Sequence, residues 1–176
     1  MSNSKDLSKV MDKDKHELSN VFEKENSIVS TIKSKFGDKV EVNYIKKSRI
    51  KITVESEIII DVAYYLRNEL GFDHAASVAG TDFIKANQIE VVYHLSSYTK
   101  EEYSDIVFAL STRIGRDDAR SPSLIKVFKS VEYHERETFE MLGVYFDGHP
   151  RNERFLLPED WADLPPLRRD FRIKGR

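Results

Sequence analysis

Residues 89–114 read IEVVYHLSSYTKEEYSDIVFALSTRI, with two apolar runs on either side of a polar stretch. The runs at 89–95 and 105–114 are rich in β-branched and aromatic residues, which suit the pleated, half-buried surface of a strand. The polar residues SSYTKEEYS between them are enough to turn the chain back on itself. This part of the sequence therefore predicts two long strands joined by a hairpin loop.

Two shorter strands are predicted upstream, where apolar and polar residues alternate. The alternation runs through residues 39–44 and again through residues 50–54. A period of two places every second side chain on the same face of a strand. The basic sequence KKSR at 46–49 lies between the two stretches. The pattern predicts two half-buried strands joined by a basic turn.

Helices are predicted where apolar residues recur at intervals of three and four. Residues 21–36 and 57–70 have this spacing, and each stretch is followed by a glycine, Gly37 and Gly71. A glycine just beyond the last periodic residue is a typical helix end. A further short helix is predicted at 122–128, because proline is favoured in the first turn of a helix.

The predicted order of elements is helix, two strands, helix and two strands. This order is typical of an α+β fold, in which helices pack on one face of a mainly antiparallel sheet. We expect one α+β domain at residues 21–130. Residues 1–20 are polar and mixed in charge, which predicts a flexible N-terminal tail. Residues 131–176 are expected to contain a helix and an extended C-terminal arm that docks on a partner.

The composition excludes several classes of function. The 176 residues include no cysteine, which excludes disulfides, thiol nucleophiles and cysteine-ligated zinc or iron–sulfur clusters on this chain. The 28 Lys and Arg residues nearly balance the 30 Asp and Glu residues, so the whole chain has no strong attraction for nucleic acid or anionic lipid. The apolar runs are short and no export signal is visible, so we expect a prokaryotic cytoplasmic protein that meets the membrane only through a partner.

The common catalytic patterns are missing from the sequence. There is no glycine-rich dinucleotide or phosphate-binding motif and no GxSxG nucleophile. His134 and Glu135 begin the zinc-protease pattern HExxH, but the second histidine position is Thr138. The other histidines have no spacing typical of a metal site: His16, His74, His94 and His149. We therefore expect no catalytic residue, cofactor site or metal site on this chain.

Residues 131–142, VEYHERETFEML, form an amphipathic helix on a helical wheel. Glu135 falls inside the apolar arc of this wheel. On the opposite side, Glu132, Arg136 and Glu140 follow one another at a spacing of four, which predicts exposed ion pairs of little energetic weight. The wheel therefore predicts one buried carboxylate in an otherwise solvated row of charges.

A carboxylate inside an apolar arc must be paired or hydrogen-bonded. We predict Arg168 or Arg169, or an arginine of a partner subunit, as the partner of Glu135. Removing Glu135 should then disturb assembly far more than removing Glu132 or Glu140. The other interpretation of the same pattern is a solvated helix with a single internal ion pair.

The segment beyond this helix is apolar and rich in proline. It contains FLLP at 155–158, Trp161 and LPPL at 164–167. Large apolar side chains on a chain with little regular structure do not bury one another, and exposed apolar patches of this kind mark interaction sites. We therefore expect this arm to dock on a partner subunit.

The residue types and spacing within 131–172 resemble the signature of a known family. The signature comprises Glu135-Arg136-Glu137, Met141-Leu142-Gly143, Gly148-His149-Pro150, Arg154, Pro158-Glu159-Asp160-Trp161 and Pro166-Leu167-Arg168-Arg169-Asp170. This pattern resembles the 30 kDa subunit of respiratory complex I, which in prokaryotes is the C subunit of NADH–quinone oxidoreductase. The likeness extends over residues 21–172 and includes VAGTD at 78–82.

The resemblance implies a cofactor-less structural subunit in the hydrophilic arm of a complex I-type NADH (or other donor)–quinone oxidoreductase. It implies docking on the 49 kDa-type subunit near the quinone site, next to cluster-bearing subunits. NADH, flavin, iron–sulfur clusters and quinone then belong to partner subunits, and this chain supports electron transfer coupled to proton translocation. It is expected at the cytoplasmic side of the cell membrane, as a peripheral protein. The implied interface residues are Glu135, Arg136, Glu137, Gly148, His149, Pro150, Arg154, Trp161, Arg168, Arg169 and Asp170.

Two other interpretations stay open at this point. Related subunits occur in membrane-bound hydrogenases and coenzyme F420-type dehydrogenases, and the sequence does not separate these from a complex I-type enzyme. A free-standing interaction module, or an RNA-associated one that uses Lys46, Lys47 and Arg49, belongs to another class. The basic residues of that turn are not interleaved with the stacking aromatic residues that single-strand RNA binding needs.

Overall fold

The computed structural model describes residues 22–159, 161 and 165–172. The tail predicted at 1–20 lies outside the described residues. The α-helices are α1 (Glu23–Phe36), α2 (Ile59–Asn68) and α3 (Glu132–Leu142). The strands of the main sheet are β1 (Val40–Lys46), β2 (Arg49–Val54), β3 (His74–Phe83), β4 (Gln88–Ser96) and β5 (Val107–Gly115). A second, two-stranded sheet pairs β6 (Arg120–Pro122) with β7 (Tyr145–Asp147) in parallel.

The main sheet has the strand order β1-β2-β5-β4-β3. Three of its four pairings are antiparallel, and β2 pairs with β5 in parallel. The hairpin predicted from residues 89–114 is confirmed, because β4 and β5 pair directly, with Tyr93 opposite Leu110. The predicted fold class, a mainly antiparallel α+β sheet with helices on one face, is confirmed as well.

The core lies between one face of the sheet and the helices. The register aligns Ile52, Leu110, Tyr93 and Val78 in a row across β2, β5, β4 and β3. All four side chains are buried, and they belong to one cluster with the apolar residues of α1 and α2. Burial of a large apolar side chain contributes about 1.5–3 kcal/mol, so this face accounts for much of the stability of the domain.

Two sequence-based predictions need correction. The residue pattern at 74–83 predicted no strand, although VAGTD at 78–82 resembles the family's central strand region; these residues form β3 at the edge of the sheet. Residues 122–128 were expected to form a helix and instead form β6 and a turn. The reason is that Pro122 pairs with Asp147 of β7, and the Ser123 N–H donates to the Asp147 carbonyl at 2.9 Å. The extended backbone that this pairing requires is incompatible with a helix.

Close packing between α3 and β3 depends on Gly80. A Cβ atom at this position would lie 2.1 Å from Leu142 Cδ1 and 3.3 Å from Thr138 Cγ2. We expect Gly80→Ala to lower the free energy of unfolding by about 1–3 kcal/mol, because an added methyl group overpacks this contact. Urea denaturation of the purified variant measures the effect. Gly115→Ala in the same sheet is the control, since no atom lies within 4 Å of its Cβ position; equal effects at both positions would contradict the packing argument.

Candidate functional site

The carboxylate of Glu135 is at the centre of the signature helix α3 and is fully buried, as the wheel predicted. Its Oε1 accepts hydrogen bonds from Tyr93 Oη at 2.8 Å and from the Leu124 backbone N–H at 2.9 Å. Its Oε2 accepts a hydrogen bond from Ser123 Oγ at 2.5 Å. Burial raises the pKa of Glu135, although these hydrogen bonds oppose the rise. The cluster joins α3 to β4 and to the segment after β6.

The prediction that Arg168 or Arg169 pairs with Glu135 is wrong, while the alternative, an arginine of a partner subunit, stays a prediction. Arg168 Nε donates to the carbonyl of Leu142 at 2.8 Å, at the C-terminal end of α3. The backbone N–H of Arg169 donates to Asp82 Oδ2 at 2.9 Å. Free carbonyls at a helix end attract a cation, so Arg168 is held there and does not enter the core. The carboxylate of Glu135 instead accepts hydrogen bonds from neutral donors of Tyr93, Ser123 and Leu124.

Glu140 was expected on the exposed side of α3, but it is only 5% exposed. Its Oε2 accepts the backbone N–H groups of Phe155 and Leu156 at 3.0 and 2.8 Å. Its Oε1 accepts the N–H of Leu157 at 2.7 Å and lies 3.6 Å from Arg154 Nε. Burial alone would raise the pKa of Glu140, but the three N–H groups and Arg154 hold it below its ordinary value. Glu140 thus fastens the arm to α3.

Arg136 is also buried, against the prediction of an exposed ion pair with Glu132 and Glu140. Its guanidinium carbon lies 4.6 Å from the ring centroid of Phe155 and 5.7 Å from that of Tyr133. Its Nε donates to the carbonyl of Glu153 at 3.2 Å. A guanidinium between aromatic rings is stabilised by the cation–π interaction.

Glu132 and Glu137 lie at the surface of α3, the first in an ion pair and the second exposed to solvent. Glu132 forms an ion pair with Arg151, which replaces the predicted pair with Arg136. The side chain of Glu137 is exposed. Since exposed pairs contribute about 0–1 kcal/mol, neither residue has much weight in stability.

The turn at Gly148, His149 and Pro150 directs a histidine back to α3. Gly148 has a φ of 86°, which favours glycine, and Pro150 is exposed. The backbone N–H of Arg151 donates to His149 Nδ1 at 3.0 Å, so the ring proton lies on Nε2, 3.1 Å from the carbonyl of Glu132. His149 is 8% exposed, and both of its ring nitrogens form hydrogen bonds. Its side chain therefore holds this turn against the start of α3.

An ion cluster anchors the last signature residues to the sheet. Asp82 of β3 is buried, and its Oδ1 accepts a hydrogen bond from Arg116 Nε at 2.9 Å. Arg116 also pairs with Asp170. Burial would raise the pKa of Asp82, but Arg116 and the N–H of Arg169 lower it. Sequence reasoning missed Arg116, and the one available signal was the VAGTD segment that supplies Asp82.

Trp161 is half-buried and stacks on Phe171, with ring centroids 6.0 Å apart and an interplanar angle of 16°. Arg154 spans this part of the arm, because Nη2 lies 3.2 Å from the Pro158 carbonyl and Nη1 lies 3.5 Å from the Trp161 carbonyl. The arm therefore makes many contacts within its own chain. This corrects the expectation that it finds a surface only on a partner.

Large apolar side chains nevertheless remain exposed on α3 and on the arm. We call this set of residues the signature surface, and the exposed fractions are 57% for Tyr133, 41% for Phe155, 50% for Leu156 and 61% for Leu167. Main-chain N–H groups of the arm at Phe155, Leu156, Leu157 and Leu167 are hydrogen-bonded within the chain, while the four side chains of the signature surface are left in contact with solvent. Such a division is typical of a segment held in shape for binding another protein.

The described residues contain no cluster of three or more His, Asp or Glu side chains placed to hold a metal ion. Within the same residues, no helix is long and apolar enough to cross a membrane.

Comparison with known proteins identifies this arrangement. The family described as respiratory-chain NADH dehydrogenase, 30 kDa subunit, matches residues 52–176, a span that includes α3 and the whole arm. The chain belongs to this family. The resemblance seen in the sequence is thereby confirmed.

The relatives are parts of multi-subunit oxidoreductases. The C subunit of the F(420)H(2) dehydrogenase of Methanosarcina mazei is 32% identical over 146 residues, which cover 82% of this chain and 90% of that protein. The C subunit of the NADH-quinone oxidoreductase of a Roseiflexus species is 40% identical over 124 residues, which cover 69% of this chain and 68% of that protein. A chain in the structure of the membrane-bound sulfane sulfur reductase, an archaeal respiratory membrane complex, has a TM-score of 0.69 and 27% identity, covering 86% of this chain and 88% of that one.

Proposed function

We propose that this chain is a cofactor-less structural subunit in the hydrophilic arm of a complex I-type oxidoreductase. In this proposal it docks on the 49 kDa-type subunit near the quinone site and keeps the quinone-site subunits in register. It thereby supports electron transfer coupled to proton translocation, while the reactions themselves take place on other subunits. Membership of the 30 kDa family supports the general part of this assignment.

The observation that carries the proposal is the way the signature carboxylates are used. Glu135, Glu140 and Asp82 are each buried and each engaged by donors of this chain. Buried carboxylates that already accept two or three hydrogen bonds are poorly placed for acid–base chemistry or metal binding, since a substrate or metal ion has to displace those donors. The same contacts hold the signature surface in one shape, which is what a docking subunit requires.

We further propose that NADH, flavin, iron–sulfur clusters and quinone are bound by partner subunits. The absence of cysteine from the sequence supports this, because iron–sulfur clusters are held mainly by cysteine thiolates. In this proposal the chain lies at the cytoplasmic side of the cell membrane as a peripheral subunit.

A second candidate for the enzyme is an F(420)H(2) dehydrogenase. The observation that favours it is the match in length, since the alignment covers 82% of this chain and 90% of the Methanosarcina protein. In this proposal the chain has the same structural role in either enzyme. Oxidation of NADH or of reduced coenzyme F420 by the purified complex distinguishes the two.

Affinity purification of the tagged chain from detergent-solubilised native membranes tests the proposed docking. We expect the 49 kDa-type and cluster-bearing subunits to co-purify with it. The double variant Leu156→Asp with Leu167→Asp should reduce their recovery at least tenfold, because it places charges on the signature surface. Tyr98→Asp is the control, since Tyr98 is 75% exposed on the β4–β5 loop. Full recovery of the partners with the double variant would contradict the proposal.

A further inference from the structure

One face of the five-stranded sheet carries no helix among the described residues. The helices pack on the face that contains Ile52, Tyr93 and Leu110. Side chains alternate between the faces of a strand, so every second residue of each strand points to the opposite, helix-free side. That side has no part in the signature surface.

The centre of the helix-free face is made of small side chains. The register places Val92 beside Ser111, and Ala109 is the next residue of β5 on this face; each of the three is at most 7% exposed. Lys51 Nζ reaches Glu90 Oε2 at 2.8 Å, diagonally across these residues. The centre is therefore shallow and covered by this ion pair, so a partner meets Lys51 and Glu90 before it meets Ser111, which is 0% exposed.

The charge of this face is positive. Its cationic residues are Lys46, Arg49, Lys51 and Arg113, and its carboxylates are Glu41 and Glu90. Glu90 is 4% exposed and already meets Lys51 at 2.8 Å and Arg113 Nε at 3.6 Å. Burial, together with the charges of Lys51 and Arg49, lowers the pKa of His94 on the same face. The surroundings of His94 thus disfavour a further positive charge.

Three of these cations are accessible to a partner. The side chain of Arg113 is 44% exposed, although its Nε lies 3.6 Å from Glu90 Oε1. Arg49 and Lys46 are exposed, and neither forms an ion pair with a carboxylate within the described parts of the chain. Lys46 lies 5.3 Å from the ring centroid of Tyr44. Charge complementarity therefore favours a partner that brings carboxylates to the Arg49 side of the face.

The size of the face indicates where such a partner comes from. Five strands of 6 to 10 residues, about 4.8 Å apart and rising about 3.3 Å per residue, give a face of roughly 650 Å². A stable protein interface buries about 800 Å² on each partner. The face is therefore too small to hold a free partner firmly, and suits a segment whose own subunit is already held to this chain elsewhere.

We propose that the helix-free face binds an acidic protein segment that belongs to another subunit of the same complex. The carboxylates of this segment pair with Arg49 and Arg113, and its main chain lies over the Lys51–Glu90 ion pair between them. RNA is disfavoured as the occupant, because the aromatic residues of this face, Tyr44 and Phe83, lie at its margins beside Lys46 and Arg113, and the centre between them offers no surface for base stacking. The inference rests on the proposed function, since it assumes an assembled complex.

A photo-crosslinking amino acid tests this contact inside the complex. Thr81→p-benzoylphenylalanine places the probe at an exposed position at the margin of the face, opposite Glu90. We expect light to produce a cross-link to one other subunit, within a peptide that carries several Asp or Glu residues. The same probe at Lys33, exposed on α1, should not give this product. No cross-link in an assembled complex, a ribonuclease-sensitive product, or a peptide without acidic residues would overturn the inference.

Charge reversal on the face provides a second measurement. Arg49→Glu with Arg113→Glu should lower the yield of the cross-linked product at least tenfold, while Lys33→Glu with Lys126→Glu, both exposed and outside this face, should not. Unchanged yield with the first pair would also overturn the inference. If the tagged chain co-purifies with the other subunits but gives no cross-link, the inference alone fails. If it does not co-purify at all, the proposed function fails with it.

Discussion

Replacing Glu140 by alanine is expected to release the arm from α3. The amides of Phe155, Leu156 and Leu157 lose their acceptor, and each of these hydrogen bonds is charge-assisted. Their exchange with deuterium should become about a hundredfold faster, which corresponds to about 3 kcal/mol of lost local stability. Hydrogen–deuterium exchange with mass spectrometry on wild type and variant measures this directly.

Glu137→Ala is the matched control, because Glu137 is a carboxylate on the same helix whose side chain is exposed. Its exchange pattern in residues 155–157 should equal that of wild type. If Glu140→Ala also left these amides protected, the arm would be held by other contacts. The arm's attachment to its own helix would then not depend on Glu140.

The same fastening should depend on pH in a defined direction. The folded-state pKa of Glu140 is lowered below its ordinary value of 4.5. A group with a lowered pKa stabilises the folded state fully above the ordinary value and loses this contribution as the pH falls through the lowered one. Protection of residues 155–157 should therefore persist in mildly acidic solution and weaken only below the ordinary range.

Replacing Glu135 should have the other large effect. Glu135→Ala leaves the hydroxyls of Tyr93 and Ser123 and the N–H of Leu124 buried without an acceptor, and it opens a cavity. We expect a loss of about 3–5 kcal/mol in the free energy of unfolding. Glu135→Gln should cost only about 1 kcal/mol, because the amide oxygen still accepts hydrogen bonds and no buried cation loses its counter-charge. Urea denaturation compares the two variants.

The comparison between alanine and glutamine decides what Glu135 does. If both variants lost the same large amount, a negative charge would be required there, as the arginine-pair hypothesis demands. Burial raises the pKa of Glu135 in the folded state. The stabilisation by protonated Glu135 is therefore complete when the pH lies below the ordinary pKa of a glutamate, and it declines as the pH rises through the raised pKa. The glutamine variant should lack this decline.

These expectations change the contrast that the sequence suggested within α3. A helical wheel separates Glu135 from Glu132 and Glu140, and it is right about Glu135. It fails for Glu140 because a wheel describes only the helix itself. Glu140 is covered by residues 155–157, which return from outside the helix, and this return is a property of the tertiary structure.

The residue pattern predicted four strands of the main sheet but not β3, and the difference has a physical reason. Residues 89–95 and 105–114 are large, apolar and β-branched, so their propensity alone indicates strands. β3 reads HAASVAGTDF, with small residues that have weak preferences. Position 80 has room only for glycine, because Leu142 packs against its backbone. These two residues are 62 positions apart, and a contact over such a distance leaves no local pattern in the sequence.

By itself, the sequence determined the fold class, the burial of Glu135 and the exclusion of cysteine chemistry, because periodicity and composition are local properties. The tertiary structure decided which groups satisfy each buried carboxylate. Tyr93 reaches Glu135 across 42 positions, and Arg169 reaches Asp82 across 87. A buried charge requires some partner wherever it lies, so the need is visible in the sequence. The partner is whichever donor the folded chain brings within about 3 Å, and only packing determines that.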